Sequence, residues 1–258
     1  MFRCFTALLL CHAFFYGSSF GQDSGGPKSS DKPTKATQNE APKSKELAKF
    51  EPFKLSVSAK AGRDEFVADL HFVDRRAVEY AGGKSIEPVA VYDLSAMSWK
   101  DMKTGKTITL ADCEAWAAAS RKRSEDSLTK SGDAKFRSFF QAMLAPNFQV
   151  KQDARKLVLS NEHFRYEVRE TQEVAAPRRA AIYAYDRLNA YRKAMIERKV
   201  PPFAQLSVTN EIAARQLMPS EMKVRITSAT GSVNFQVQMK VSPLSVKERE
   251  QAQAAIEK

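Results

Sequence analysis

Residues 222–241 read MKVRITSATGSVNFQVQMKV. Met222, Val224 and Ile226 alternate with polar residues, Ser228–Gly231 interrupts them, and Val233, Phe235, Val237, Met239 and Val241 resume the alternation. Successive side chains of a strand point to opposite faces, so a period of two marks two half-buried strands. The interruption is short and ends in glycine, which predicts a hairpin. A hairpin of this kind belongs to an antiparallel sheet that buries one face.

The same period recurs toward the amino terminus. Phe53, Leu55 and Val57 alternate with polar residues, as do Phe66, Ala68, Leu70 and Phe72. Short strands are predicted at about 77–80 and 88–94. Met97–Asp101 and Lys106–Leu110 flank Lys103, Thr104 and Gly105, a hairpin loop whose glycine supplies positive φ. In the middle of the chain Phe148 and Val150, Leu157 and Leu159, and Phe164, Tyr166 and Val168 keep the alternation, with a turn at Ser160–Glu162.

Between these strands the period becomes helical. Thr109 and Asp112 have capping-box spacing, and Leu110, Cys113, Trp116 and Ala117 form an apolar stripe behind them. Asp133 is placed to cap a second helix ending at Leu144, with Phe136, Phe139, Phe140 and Met143 on its buried side. The longest helix is predicted over 177–199, with Ala181, Tyr185, Leu188 and Met195 facing inward, and Pro201 and Pro202 stop it. A short helix is expected between Asn210 and Pro219. Ser245 and Glu248 form a second capping box, opening a polar helix that ends near Glu257. The class is α+β: an antiparallel, curved sheet covered by helices on one face, in a single domain over 50–258.

The chain has 258 residues, with 41 basic and 30 acidic side chains and a formal charge of +11. Its 43% hydrophobic content is that of a globular protein, and excludes a wholly disordered chain, a collagen-like fibre and a multi-span membrane protein. Residues 1–21, MFRCFTALLLCHAFFYGSSFG, combine one positive charge, a short apolar run and small residues near the end. That is the pattern of a secretory signal peptide cleaved after Gly21. Two other readings compete: an uncleaved anchor, for which the apolar run is short, and a lipoprotein signal, which Leu10 before Cys11 opposes. Cleavage removes Cys4 and Cys11, leaving Cys113 without an intramolecular disulfide partner. Residues 22–49 begin QDSGGPKSSDKPTKATQNEAPKSK, a polar stretch too poor in apolar groups to offset the entropy of ordering, and read as a disordered linker. The expected location is therefore exported, periplasmic or extracellular.

Chemical motifs are sparse. Gly83, Lys84 and Ser85 look like the tail of a phosphate-binding loop, but Val78 stands where its first glycine belongs and Pro88 opposes the following helix. His71 and His163 fall opposite the apolar residues of their strands, so both are expected to face solvent or a groove. No metal-ligand spacing is present, and no metal or cofactor is expected. Cys113 is the strongest nucleophile candidate, yet Asp112 and Glu114 flank it and it lies on the Trp116 stripe, which favours a buried structural thiol. Neither a Gly-x-Ser-x-Gly elbow nor a Gly-x-Gly-x-x-Gly fingerprint occurs. Basic residues cluster at Arg121–Arg123 and along the long helix at Arg178, Arg179, Arg187, Arg192, Lys193, Arg198 and Lys199. The plainer reading is a solvated helix face. The functional one is an anionic partner, which for an exported protein means lipid headgroups, acidic glycans or an acidic protein rather than nucleic acid.

Residues 89–110, VAVYDLSAMSWKDMKTGKTITL, carry a strand with Tyr-Asp-Leu followed by a Trp-bearing hairpin. This stretch loosely resembles the sheet of exported lipoprotein-carrier-like proteins, and the helical segments at about 110–144 and 177–217 depart from it. The resemblance implies a curved antiparallel sheet holding helices and an apolar groove. The chain is also similar in outline to uncharacterised exported bacterial proteins, which implies no activity.

Three functions are weighed. The first is a non-enzymatic domain that binds an apolar or anionic envelope component such as a lipid, with Tyr92, Trp99 and Tyr166 lining a groove. The second is a structural or protein-interaction module of the envelope that meets its partner through Arg187, Arg192 and Lys193. The third is a hydrolase whose site is built from Cys113, a histidine or convergent carboxylates.

Overall fold

A computed structural model describes residues 48–82, 87–197, 201–228 and 230–258. The signal-peptide pattern, nearly all of the polar linker, the loop at Gly83–Ser85, and Arg198 and Lys199 lie outside the described residues.

Six strands come first: β1 (Phe53–Ala61), β2 (Asp64–Val73), β3 (Arg76–Ala81), β4 (Pro88–Asp93), β5 (Ser98–Asp101) and β6 (Thr107–Thr109). Two helices follow, α1 (Leu110–Lys130) and α2 (Ala134–Leu144), and then β7 (Gln149–Asp153), β8 (Lys156–Ser160) and β9 (Phe164–Arg169). Helices α3 (Ala176–Glu197) and α4 (Phe203–Ala214) precede the hairpin of β10 (Glu221–Ser228) and β11 (Gly231–Pro243), and α5 (Val246–Ile256) comes last. Among the described residues the eleven strands form one open, curved sheet in the order β6-β5-β4-β3-β2-β1-β11-β10-β9-β8-β7. All pairs are antiparallel. The α+β class and antiparallel pairing match the alternation in the sequence.

Local chemistry sets the element ends. Thr109 caps α1 and exchanges hydrogen bonds with Asp112, and Ser245 does the same with Glu248 at α5. Each box satisfies amide hydrogens that a first helical turn leaves orphaned. Asp133 accepts from the amides of Lys135 and Phe136 to start α2. Gly105 has φ +70° in the β5–β6 hairpin, the region glycine enters at least cost. Gly82 is fixed by crowding: a Cβ there would lie 1.6 Å from the carbonyl oxygen of Val67.

Two cores lie on the helix-covered face. The first joins Phe53, Leu55, Leu70, Phe72, Tyr92 and Trp99 of the sheet to Cys113 of α1 and to Ile182, Tyr185 and Leu188 of α3. The second joins Leu157, Leu159, Phe164, Val224, Phe235 and Val237 to Phe139 and Met143 of α2 and Val208 and Ile212 of α4. Helix α5 lies on the opposite face, over Val73, Val78, Tyr80 and Val91.

Two expectations need correction. The helix expected after Asn210 begins at Phe203 instead, with Pro202 as its N-cap residue at φ −75°. The Pro201–Pro202 pair thus leads into α4, because proline's fixed φ suits a first helical turn. His71 does lie opposite Leu70 and Phe72, but it is 6% exposed rather than solvent-facing, because α5 covers that part of the outer face.

Candidate functional site

The three aromatic residues expected to line a groove are packed in the cores. Tyr92 and Trp99 are partners across β4 and β5 and belong to the first core, whereas Tyr166 belongs to the second. The helices α1–α4 fill the face where a groove was expected. The Tyr92 hydroxyl donates to Glu79 Oε2 at 2.7 Å. Burial, chiefly, pushes this phenol well above 10, so it stays protonated.

The basic residues of α3 are not a solvated row. Arg192 is 9% exposed, donates through Nη1 to Glu79 Oε2 at 3.0 Å and to the Tyr92 hydroxyl at 3.2 Å, and lies over the Trp99 ring. As a surface contact it is therefore a correction: its guanidinium serves a buried carboxylate. Arg187 pairs with Glu114 of α1 at 2.9 Å. Lys193 is half-buried and acts electrostatically on Asp186, whose carboxyl burial pushes up to about 7. Cys113 is fully buried, and burial pushes its thiol up, which disfavours the reactive thiolate.

One constellation was invisible in the sequence. Ser138 Oγ of α2 lies 2.8 Å from His163 Nε2, and His163 Nδ1 lies 3.0 Å from the carbonyl oxygen of Thr227. A carbonyl only accepts, so Nδ1 carries a hydrogen, and in the neutral ring Nε2 then accepts from the Ser138 hydroxyl. This is the proton arrangement of a nucleophilic serine. The Glu162 carboxylate is 3.4 Å from the same Oγ, where it would oppose a developing oxyanion. The amides of Lys135 and Phe136 at the start of α2 are already taken by Asp133. With Phe139 packed edge-on against the imidazole, the pair clasps α2 to the β9–β10 end of the sheet. Among the described residues no group of three or more His, Cys, Asp or Glu side chains is placed to hold a metal ion.

Among the described residues no helix lies on the outer face of the sheet between β7 and β11. Alternation points Lys156 of β8, Arg165, Glu167 and Arg169 of β9, and Glu221, Lys223 and Arg225 of β10 outward. The register sets Arg165 directly opposite Arg225. Glu167 is shared, accepting from Arg165 at 2.9 Å and pairing with Lys156 at 3.3 Å, and those bonds hold its carboxyl below the usual range. Glu221 faces Lys223 at 3.7 Å and accepts from Gln236 at 2.7 Å. Arg225 is exposed and meets no acid among the described residues. Lys151 on the edge strand β7 adds a further positive charge. Sequence reasoning missed this face because cross-strand register, not spacing along the chain, brings residues 165 and 225 together.

No helix among the described residues is long and apolar enough to cross a membrane. The sequence matches no model of a known protein family and no curated protein.

Proposed function

We propose that this protein is an exported, non-enzymatic binding domain that docks on an anionic component of the cell envelope, a surface of phosphate-bearing lipid headgroups. The outer face of β8–β10 is its contact. One observation carries the reading: Arg165 and Arg225 face each other across an exposed part of the sheet. Like charges directly opposite on a sheet are destabilising. An anion lying between the two guanidinium groups turns that repulsion into shared attraction, and the planar fork of arginine matches phosphate oxygens. Lys156, Arg169 and Lys223 surround the pair; Glu167 is shared by Arg165 and Lys156 and Glu221 lies against Lys223, so five bases against two acids leave this face net positive. The packed core on the other face favours this anionic branch over an apolar groove. Export rests on the amino-terminal pattern, and the sheet's role rests on charge and register.

Sedimentation with lipid vesicles tests the proposal. The protein should pellet with vesicles containing phosphatidylglycerol and remain in solution with phosphatidylcholine alone. Binding should fade as salt approaches about 1 M, where the screening length is about 3 Å. Arg165→Glu combined with Arg225→Glu should abolish it, whereas Arg187→Glu on α3 should not. Equal binding to both vesicle types, or an undiminished double variant, would refute the assignment.

A further inference from the structure

Helix α5 stands apart from the other helices. It follows β11 through Leu244 and its N-cap Ser245 and lies over β2–β4 on the outer face. Its apolar grip is small: Ala252 and Ala255 are buried, and Leu244 and Ile256 are partly buried, over Val73, Val78, Tyr80 and Val91. Its ends are held by an ion pair and a hydrogen bond. Lys54 Nζ of β1 lies 2.7 Å from Glu248 Oε1 in the first turn, and Lys100 Nζ of β5 donates to the carbonyl oxygen of Lys258 at 2.9 Å.

Beneath the helix sit two side chains that each keep one buried polar atom unpaired. His71 and Tyr80 pack with ring centroids 4.6 Å apart. Neither His71 Nδ1 nor the Tyr80 hydroxyl has a hydrogen-bond partner among the described residues. Leaving such groups buried and unpaired costs about 1–3 kcal/mol each in general, so the docked helix is held with little to spare. We propose that α5 is a latch, released when His71 takes up a proton.

The charged groups facing His71 come from three elements. Glu248 of α5 lies 4.0 Å from Nε2, Lys54 of β1 stands opposite in register, and Asp69 lies on its own strand. From β3 the only titratable group facing it is the Tyr80 phenol, which burial pushes up to about 12 and keeps neutral. Both carboxylates are already engaged: Glu248 with Lys54 and the Ser245 cap, Asp69 with the Ser56 hydroxyl at 2.6 Å. An imidazolium formed here shares the Glu248 carboxylate, 4.0 Å from Nε2, with Lys54, and its Nδ1–H has no acceptor among the described residues. Burial is accordingly the largest influence and pulls His71 below 6.5, against the attraction of Glu248 and Asp69. Glu248, held to about 2 chiefly by the Lys54 hydrogen bond, stays ionised throughout. The Lys54–Glu248 pin therefore does not titrate over the range in which His71 does.

The sign follows directly. The docked state disfavours the proton relative to an undocked His71 near 6.5. Docking is unpenalised above that value and weakens as pH falls through it toward the docked pKa. Release frees Lys54 and Lys100 to extend the basic outer face, a consequence that rests on the binding role proposed above.

Hydrogen exchange on the full chain at pH of about 7.5 and about 5 tests the latch without any lipid. Protection factors of residues 246–256 should drop at the lower pH, while those of β10 and β11 hold. His71→Gln should abolish that difference. If His71→Gln also loses protection in β10 and β11, His71→Phe, whose ring can stack on Tyr80, makes the same comparison. Unchanged α5 protection, a loss in step with the sheet, or an equal loss in the variant would overturn the proposal. Failure of vesicle binding would leave this result standing, and the reverse holds as well.

Discussion

Glu79 and Arg192 show what one buried charge demands of its neighbours. Their side chains are 5% and 10% exposed and meet at 3.0 Å. Taking two charges out of water costs more than their attraction returns unless further hydrogen bonds complete the pair, and the Tyr92 hydroxyl supplies one. Arg192→Ala leaves the Glu79 carboxylate buried and uncompensated, so it should destabilise the fold by about 3–5 kcal/mol. Glu79→Leu combined with Arg192→Leu should recover most of that loss. Urea denaturation of the variants measures both values, and a single-variant cost below about 1 kcal/mol would contradict the pairing. The position was legible in the sequence. Ala181, Tyr185, Leu188 and Met195 mark the inner stripe of the long helix, and 192 falls on it, four residues after 188 and three before 195. Charge type outweighed spacing when Arg192 was grouped with Arg187 on a solvated face. Its acid partner could not be read, because Glu79 reaches it across the fold.

At the scale of elements, capping chemistry located helices better than apolar pattern did. Both capping boxes and the Asp133 cap occur where side-chain spacing placed them, since a cap is a local bargain between a side chain and amides two or three residues on. Helix α4 begins at Phe203, earlier than the pattern indicates, because its N-cap Pro202 offers no side-chain hydrogen bond to mark the start. The edge strand β7 is exposed along its whole length, so its alternation marked a strand without marking which side was covered. Thr109 accepts from the Asp112 amide, and its own amide donates back to Asp112. Thr109→Ala should therefore cost about 1 kcal/mol, read as a lower thermal midpoint, whereas Thr109→Ser should stay close to the parent. Equal losses in the two variants would mean that the methyl group rather than the hydroxyl matters there.

For the whole molecule, the decisive strand pairing is the one farthest apart in sequence. β1 pairs with β11 from Phe53 opposite Pro243 to Lys60 opposite Gln236, joining the strands that precede α1 to those that follow it. Hairpins could be read from alternation, but this pairing could not, because the closure of so long a loop leaves no local trace. It also couples the cores: Val57 of β1 and Met239 of β11 pack against both. Unfolding should consequently be a single transition. Phe164 is buried in the second core, while Trp99 is buried in the first and Trp116 packs against it. Phe164→Ala should remove about 3–5 kcal/mol. The same loss should appear in tryptophan fluorescence, which watches the first core, and in far-ultraviolet circular dichroism, which watches the whole sheet. If fluorescence kept the parent midpoint while dichroism moved, the two cores would be separate folding units and β1–β11 pairing would not bind them into one.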